Sequence, residues 1–505
     1  MMLLWLLACG EDAPLPPPPA DPIFLRDGAL LPAGNSGKVL PNGQVLAEGP
    51  WEQIPALKGL PTPLMADCQP LFQVTLEDQS RLVSMGAPAP DAALVFSPDG
   101  QRLAIGSFGG LLRIVDGWSG KTLVEKKLSE GMVKQLLWSA DGTILYVGEQ
   151  SPDALVLALD STTLEQKWSR RLAEDLESSP MPPPEDVYGV YNLPGVYSLQ
   201  LLEDQSLLVV GAHGWTPAGK GRQNRSRLYH LRADGELLEA WPPSGAADAV
   251  MLHPVVQGSR LLVSVSRSAD GPDPAGLPIG GIALFSLDPL GMRWGRRFDV
   301  LKPYFQSVFI WEGLGLGPDR VVAGLGDGRA FLLDQEGQDV AVLSPGVPQL
   351  SQGVPIAAAV GFATLYQDQA YLLTTGTTIP FGSSDPMARP PSAHPAQNSV
   401  HAYDRDGKKL WSRQMDHALV GLIHSPDGRE LLAAAGPRQT DTRTDLFGAV
   451  VLERETGAVR AICATEGPAF FRPAYAPEGL RLAVAEAPFM KEGAVSGAYR
   501  VTVFR

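Results

Sequence analysis

Ala92-Ala93-Leu94-Val95-Phe96-Ser97-Pro98-Asp99-Gly100-Gln101-Arg102-Leu103-Ala104-Ile105-Gly106 is the stretch that decides the fold. It holds an apolar run, an acidic turn, and a second apolar run that fades into a small residue. Asp-Gly between apolar runs is the strongest short-range hairpin signal. Reading outward, Phe108-Gly109-Gly110 is a tight turn and Leu111 to Val115 a third strand. Asp116 to Gly120 turns again, and Lys121 to Leu128 makes a fourth strand. Four strands joined by short turns form an antiparallel meander. Turns recur too often for helix, and no long 3.6-residue period separates them.

The turn and second strand recur along the chain. Asp141-Gly142 leads to Leu145-Tyr146-Val147-Gly148, and Asp204-Gln205 to Leu208-Val209-Val210-Gly211. Gln257-Gly258 leads to Leu262-Val263-Ser264-Val265, and Pro318-Asp319 to Val321-Val322-Ala323-Gly324. Asp368-Gln369 precedes Tyr371-Leu372-Leu373-Thr374, and Asp427-Gly428 precedes Leu431-Leu432-Ala433-Ala434. Glu478-Gly479 opens the last copy, Leu482-Ala483-Val484-Ala485. A period of roughly 40–60 residues marks a stacked or radial architecture. One such unit cannot hide its apolar face alone, so the copies must pack on each other. Small residues ending each second strand fit the crowding of inner strands around a channel. The expected fold is all-β: an eight-bladed β-propeller of four-stranded antiparallel blades, with seven blades the alternative. The last copy lacks a partner for its final strand and would leave an open edge. The stretch Leu71 to Met85 is expected to close it, pairing the two ends of the chain.

A second pattern concerns tryptophan. Ala154 to Asp160 is followed by Trp168, and Ile282 to Asp288 by Trp294. Val400 to Asp404 is followed by Trp411, and Leu228 to Leu231 by Trp241. This order of apolar strand, Asp, turn and Trp resembles the repeats of quinoprotein-like propellers. Ser97-Pro98-Asp99-Gly100 and Ser425-Pro426-Asp427-Gly428 resemble the turns of WD40 and related seven- to eight-bladed propellers, although no Trp-Asp dipeptide occurs. The resemblance covers roughly residues 70–505. The Trp rings are read as wedges between neighbouring blades.

The N-terminus carries its own signal. Met1 to Ala8 is apolar, and Leu6-Leu7-Ala8-Cys9 resembles a bacterial lipoprotein cleavage box. No Lys or Arg precedes the apolar stretch, a departure from the usual pattern. The resemblance implies cleavage before Cys9 and lipidation of that residue. Gly10 rather than Asp follows the cysteine, which by the same resemblance favours the outer membrane. Six prolines between Ala13 and Pro22 suit a stalk. The expected organisation is a signal peptide over 1–8, a lipid-anchored proline-rich tether and lead-in over 9–69, and the propeller over 70–505. The expected location is the bacterial cell envelope.

Composition bounds the partners. The formal net charge of −14 argues against nucleic acid, whose phosphates need basic patches. Beyond Cys9 only Cys68 and Cys463 remain. In an oxidising compartment the two could form a bridge that locks the ring; on opposite faces they would remain free thiols.

Insert lengths are ordered. In a four-stranded meander, the loop between strands two and three shares a face with the link between blades. Long inserts fall there: about 213–225, 267–280, 376–399, 436–447 and 486–497, with the 173–195 link. Binding commonly resides on loops held by a rigid scaffold. The candidate binding face is therefore Trp215, Arg222, Arg225, Phe381, Arg389, His394, Arg438 and Arg443, since aromatics and Arg are enriched at binding hot spots.

Catalytic signatures are sparse. The seven His residues form no His-Glu-x-x-His pair and no Cys/His cluster with metal spacing. No Gly-x-Ser-x-Gly elbow occurs. His417 and His424 read as structural. Quinone-dependent dehydrogenases, which the Trp-ended repeats resemble, pair neighbouring cysteines and hold calcium. This chain has no adjacent cysteines and no such ligand set, so no cofactor or metal is expected. The reading is a monomeric, non-catalytic binding scaffold anchored by lipid, with a protein partner. The alternatives are a propeller enzyme with a central-channel site, or an envelope factor similar to the propeller lipoprotein of outer-membrane barrel assembly.

Overall fold

A computed structural model describes residues 54, 56–57, 68–76 and 93–505, apart from 184–185, 187–188, 218, 220, 267–274, 302–309, 311, 353, 380–389, 416–417, 437–446, 470–472 and 492–493. Each sequence repeat becomes one four-stranded antiparallel blade. Blade 1 holds Ala93–Phe96, Arg102–Gly106, Leu111–Asp116 and Thr122–Lys127 in that order. Blades 2 to 7 begin at the inner strands Met132–Trp138, Gly195–Leu201, Val250–Gln257, Leu314–Leu316, Val354–Tyr366 and Leu419–His424. Blade 8 holds Ala474–Tyr475, Leu482–Glu486 and Arg500–Phe504, and its outer strand is Pro70–Thr75 from the other end of the chain. All eight turn-and-strand signals mark second strands.

The ring shows in its cores. Eight apolar clusters fill eight seams. Ala104, Leu112 and Ile114 of blade 1 meet Val133, Leu145 and Val147 of blade 2. The last seam joins Val501 and Val503 of blade 8 to Leu103, Ile105 and Val115 of blade 1. An open stack would leave two apolar end faces; here, among the described residues, each blade packs on both neighbours. Small residues at second-strand ends have a specific cause. A Cβ on Gly148 would lie 2.5 Å from Val196 Cγ1, so glycine admits the inner strand of the next blade. Gly106 stands the same way against Val133, and Gly324 against Val360.

Two polar devices repeat across the seams. Trp168, Trp294 and Trp411 donate their indole N–H to the carbonyls of Ala233, Gln335 and Arg454 in the next blade, at 2.9, 2.8 and 3.1 Å. Each ring lies on a turn glycine, Gly235, Gly337 or Gly457; a Cβ would collide with the ring at Gly235 and Gly457 and crowd it at Gly337. Trp241 instead packs edge-on to Phe285, with centroids 4.7 Å apart. Arginines at the start of second strands, or one residue ahead of them, do similar work. Arg102, Arg260, Arg320 and Arg481 donate to the carbonyls of Gly142, Gly317, Arg405 and Gly100 on the following blade.

Closure uses one strand, and residues 77–85 of the expected closing stretch lie outside the described residues. Pro70–Thr75 pairs antiparallel with Arg500–Phe504, and Gln69 and Arg505 exchange backbone bonds at 3.0 and 2.9 Å. Cys68 forms a disulfide with Cys463 of blade 7. Further upstream, Ala56–Leu57 lies parallel to the outer strand of blade 6, Lys409–Met415. The lead-in therefore touches the rim at blades 6, 7 and 8 in turn.

Candidate functional site

The link from blade 2 to blade 3 is the best-defined insert on the loop-bearing face. It starts with the short helix Ala173–Leu176 and ends in the 3-10 turn Gly189–Asn192. Its anchor is the second strand of blade 3, Leu207–Trp215. Strand side chains alternate with period two. Leu207 and Val209 face blade 2, and Gly211 makes room for Leu172 and Leu176. His213 follows on the same side and is fully buried. Its Nδ1 lies 2.9 Å from the Leu176 carbonyl. Its Nε2 lies 3.0 Å from the Asn192 carbonyl and 3.0 Å from Ser179 Oγ. One imidazole thus touches both ends of the link. Burial holds His213 below the usual imidazole range, while the two carbonyls and Glu177 pull it up.

Charged pairs complete the clasp. Arg225 stands opposite His213 in the sheet and pairs with Glu177 at 3.4 Å and Asp248 at 3.3 Å. Arg227 pairs with Asp175 at 2.8 Å. Trp215 stacks on the His213 ring, with centroids 4.0 Å apart and planes 14° from parallel. Trp215 and Arg225 therefore help to hold the link in place. Arg222 lies beside Gly214 on the same hairpin.

The far end of the link is packed as well. Val190, Tyr191 and Leu193 join the seam core of blades 8 and 1, with Phe108, Met132 and Tyr499. The inner strands of blades 2, 3 and 4 each break register, which re-aims side chains. Lys134 sits in the break of blade 2, Tyr197 in that of blade 3 and His253 in that of blade 4. His253 has φ 51°, a conformation rare for a non-glycine residue. The Lys134 ammonium lies 4.5 Å from the Tyr197 ring and 5.5 Å from the Tyr191 ring, and donates to Gln150 Oε1 at 2.8 Å. A cation and two phenol rings thus meet beside the inner strands of blades 2 and 3. Nothing in the local sequence flags them, because a bulge leaves no fixed residue signature.

The remaining sequence candidates divide clearly. His394 is not at a loop tip: it is fully buried, with Nε2 3.1 Å from the Val347 carbonyl and Nδ1 accepting from the Ala396 N–H. Burial lowers its pKa to about 4, so it is a neutral core residue. His424 packs between the Tyr366 and Tyr371 rings at 5.4 and 5.5 Å, consistent with a structural part. Cys9, Phe381, Arg389, His417, Arg438 and Arg443 lie outside the described residues. Among the described residues, no group of three or more His, Cys, Asp or Glu is placed to hold a metal. No described helix is long and apolar enough to cross a membrane.

No protein-family model and no curated protein sequence matches this chain. Solved structures do. The quinohemoprotein alcohol dehydrogenase of Comamonas testosteroni fits with a TM-score of 0.52 at 13% identity, over 87% of this chain and 76% of that one. The C-terminal WD40 domain of Sif2 fits at 0.50 and 12% identity, over 86% and 97% of the two chains. The Dos1 propeller fits at 0.50 and 13% identity, over 86% and 94%. The chain has the β-propeller fold, the fold of these quinoprotein and WD40 structures. At such identities the likeness is one of fold and assigns no activity.

Proposed function

We propose that this propeller is a non-catalytic binding platform, lipid-anchored through Cys9 in a bacterial cell envelope, which takes a protein partner on its loop-bearing face. One observation carries the reading: the two faces are built unequally. On one, the described turns between strands one and two and between three and four are tight. On the other, chain is invested in stiff extensions. The Leu207–Trp215 and Gln223–Leu231 strands run nine residues each, and Val354–Tyr366 runs thirteen. A small hairpin, Phe489–Lys491 with Ala494–Ser496, rises from blade 8. Paired strands hold a surface with little ordering cost on binding, which favours recognition.

The fold also serves enzymes, but the residues do not fit the quinone-dependent kind. Cys68 and Cys463 are bonded to each other at the rim, where they cannot form the adjacent pair of that family.

The test is site-specific photocrosslinking in envelope membranes. A crosslinker at Arg222 is expected to capture a defined protein, and one at Asp141, on the tight-turn face, is expected not to. Equal capture at both positions, or none at either, would remove the reading. Fatty-acid labelling that persists in Cys9→Ser would remove the anchor.

A further inference from the structure

We infer that Glu149 is a proton site: near the loop-bearing end of blade 2, the folded protein keeps this carboxyl as a neutral acid at neutral pH. The inference does not depend on the binding reading above. It starts from one place in the repeat. Glu149 follows Gly148 in the second strand of blade 2, and Glu486 follows Ala485 in the second strand of blade 8. Both are buried.

The two carboxyls are served differently. Glu486 pairs with Arg500 and accepts the Gly467 N–H at 2.7 Å, so a charge there is matched. Glu149 is 1% exposed and meets no cation among the described residues. Its Oε2 accepts from the Ser151 hydroxyl at 3.1 Å, and Ser129 adds a second hydroxyl. Its Oε1 is buried without a partner. A carboxylate with a bare buried oxygen forfeits the hydration of a full charge, whereas a neutral acid forfeits far less. A proton on Oε2 can be donated to a serine oxygen, which leaves Oε1 as an ordinary carbonyl.

The surrounding charges agree. Lys134, on the facing inner strand, donates to Gln150 Oε1 at 2.8 Å. From the turn that follows, Asp153 adds a like charge, and Arg171 is drawn to Asp153 at 2.7 Å. From the blade 1–2 link comes Glu130, which pairs with Lys127 at 3.4 Å. Burial is the largest influence on Glu149 and holds its carboxyl above the usual range; the two serines pull it down and Asp153 pushes it up.

The acid joins two loops. Ser129 lies in the blade 1–2 link and Ser151 in the turn after the second strand. A Cβ on Gly131 would lie 2.6 Å from Ser151 Cβ, so link and turn lie against each other. Ionisation would leave an unmatched charge between them. The folded form holds a proton that the unfolded chain releases above about pH 4.3, so stability is lost as pH rises from there.

The experiment is urea unfolding of the whole protein and of Glu149→Gln, from about pH 4.5 to about pH 8. Glutamine copies the neutral acid in shape and cannot ionise. The histidines titrate in both proteins, so the difference isolates Glu149. The variant should match its parent at the acidic end and have an unfolding constant about tenfold smaller at the alkaline end. Infrared spectroscopy of the parent supplies a second measurement. A protonated carboxyl band is expected at neutral pH and should be absent from Glu149→Gln. Ser151→Ala removes a donor to the charged form, so the band should persist to higher pH in that variant. A Glu149→Gln protein no more stable than its parent at the alkaline end would overturn the proposal. So would a parent without the band, or a band that Ser151→Ala leaves unmoved or moves to lower pH. Calcium or sodium chloride that stabilised the parent and not Glu149→Gln would also overturn it, since the carboxylate would then be holding a metal ion.

Discussion

Cys68 and Cys463 form a disulfide with Cα atoms 5.2 Å apart, across 395 residues of sequence. The bond ties the lead-in of the closing strand to the neighbouring blade. That strand, Pro70–Thr75, needs support: Val74 is its one fully buried side chain, with Leu76 just beyond. A crosslink over so long a loop restricts the unfolded chain strongly, and losing a native disulfide costs about 3 kcal/mol. Cys463→Ser should lower the unfolding free energy by about that amount in urea. Reductant should reproduce the loss in the parent protein and add nothing to the variant. A variant as stable as its parent would show that β-pairing alone seals the ring.

The tryptophan wedges make a second prediction. Trp411 rests on Gly457, and its indole N–H serves the Arg454 carbonyl across the seam of blades 6 and 7. Trp411→Ala removes a large packed ring and should cost about 3 kcal/mol. Trp411→Phe keeps most of the packing and loses one hydrogen bond, about 1 kcal/mol. Equal losses in the two variants would mean the ring does not pack as described.

Much of this was legible in the sequence, for a local reason. Asp99-Gly100 and its counterparts fix turns through their own backbone preferences, so every second strand could be placed. Trp168, Trp294 and Trp411 recur at the same place in blades 2, 4 and 6, and a repeat constrains its neighbours. The site was harder. His213 is defined by two carbonyls in a proline-rich link, and carbonyls carry no residue identity. His394 stands among Pro390, Pro391 and Pro395 and reads as loop, yet the chain folds inward there to meet Val347. The arginine staples were readable but unread: Arg102, Arg260, Arg320 and Arg481 occupy one place in the repeat.

Acid should weaken the fold through buried histidines. His394 and His401 are buried, and burial lowers their pKa values to about 4 and about 3. Their unfolded value is about 6.5. The folded form therefore resists protonation. The stability these groups supply is complete above about pH 6.5 and falls as pH drops toward 4. Urea midpoints measured across that window should fall with pH. His401→Gln, which cannot titrate, should fall less steeply. An identical slope would place the acid sensitivity elsewhere.

The last prediction contrasts two arginines. Arg481 is buried at the closing seam, donates to the Gly100 carbonyl at 2.7 Å and to Glu478 at 2.7 Å, and lies 3.8 Å from the Trp118 ring centroid. Its removal strands a carbonyl and a carboxylate between blades 8 and 1, at a cost of about 3 kcal/mol. Arg232 also has two acidic partners, Asp234 and Glu236, but its side chain is 54% exposed. Water and salt replace those contacts, so Arg232→Ala should cost far less than Arg481→Ala. Urea unfolding of Arg481→Ala and Arg232→Ala side by side measures the difference. If the exposed pair proved as costly as the buried one, the closing seam would not be the place where this arginine acts.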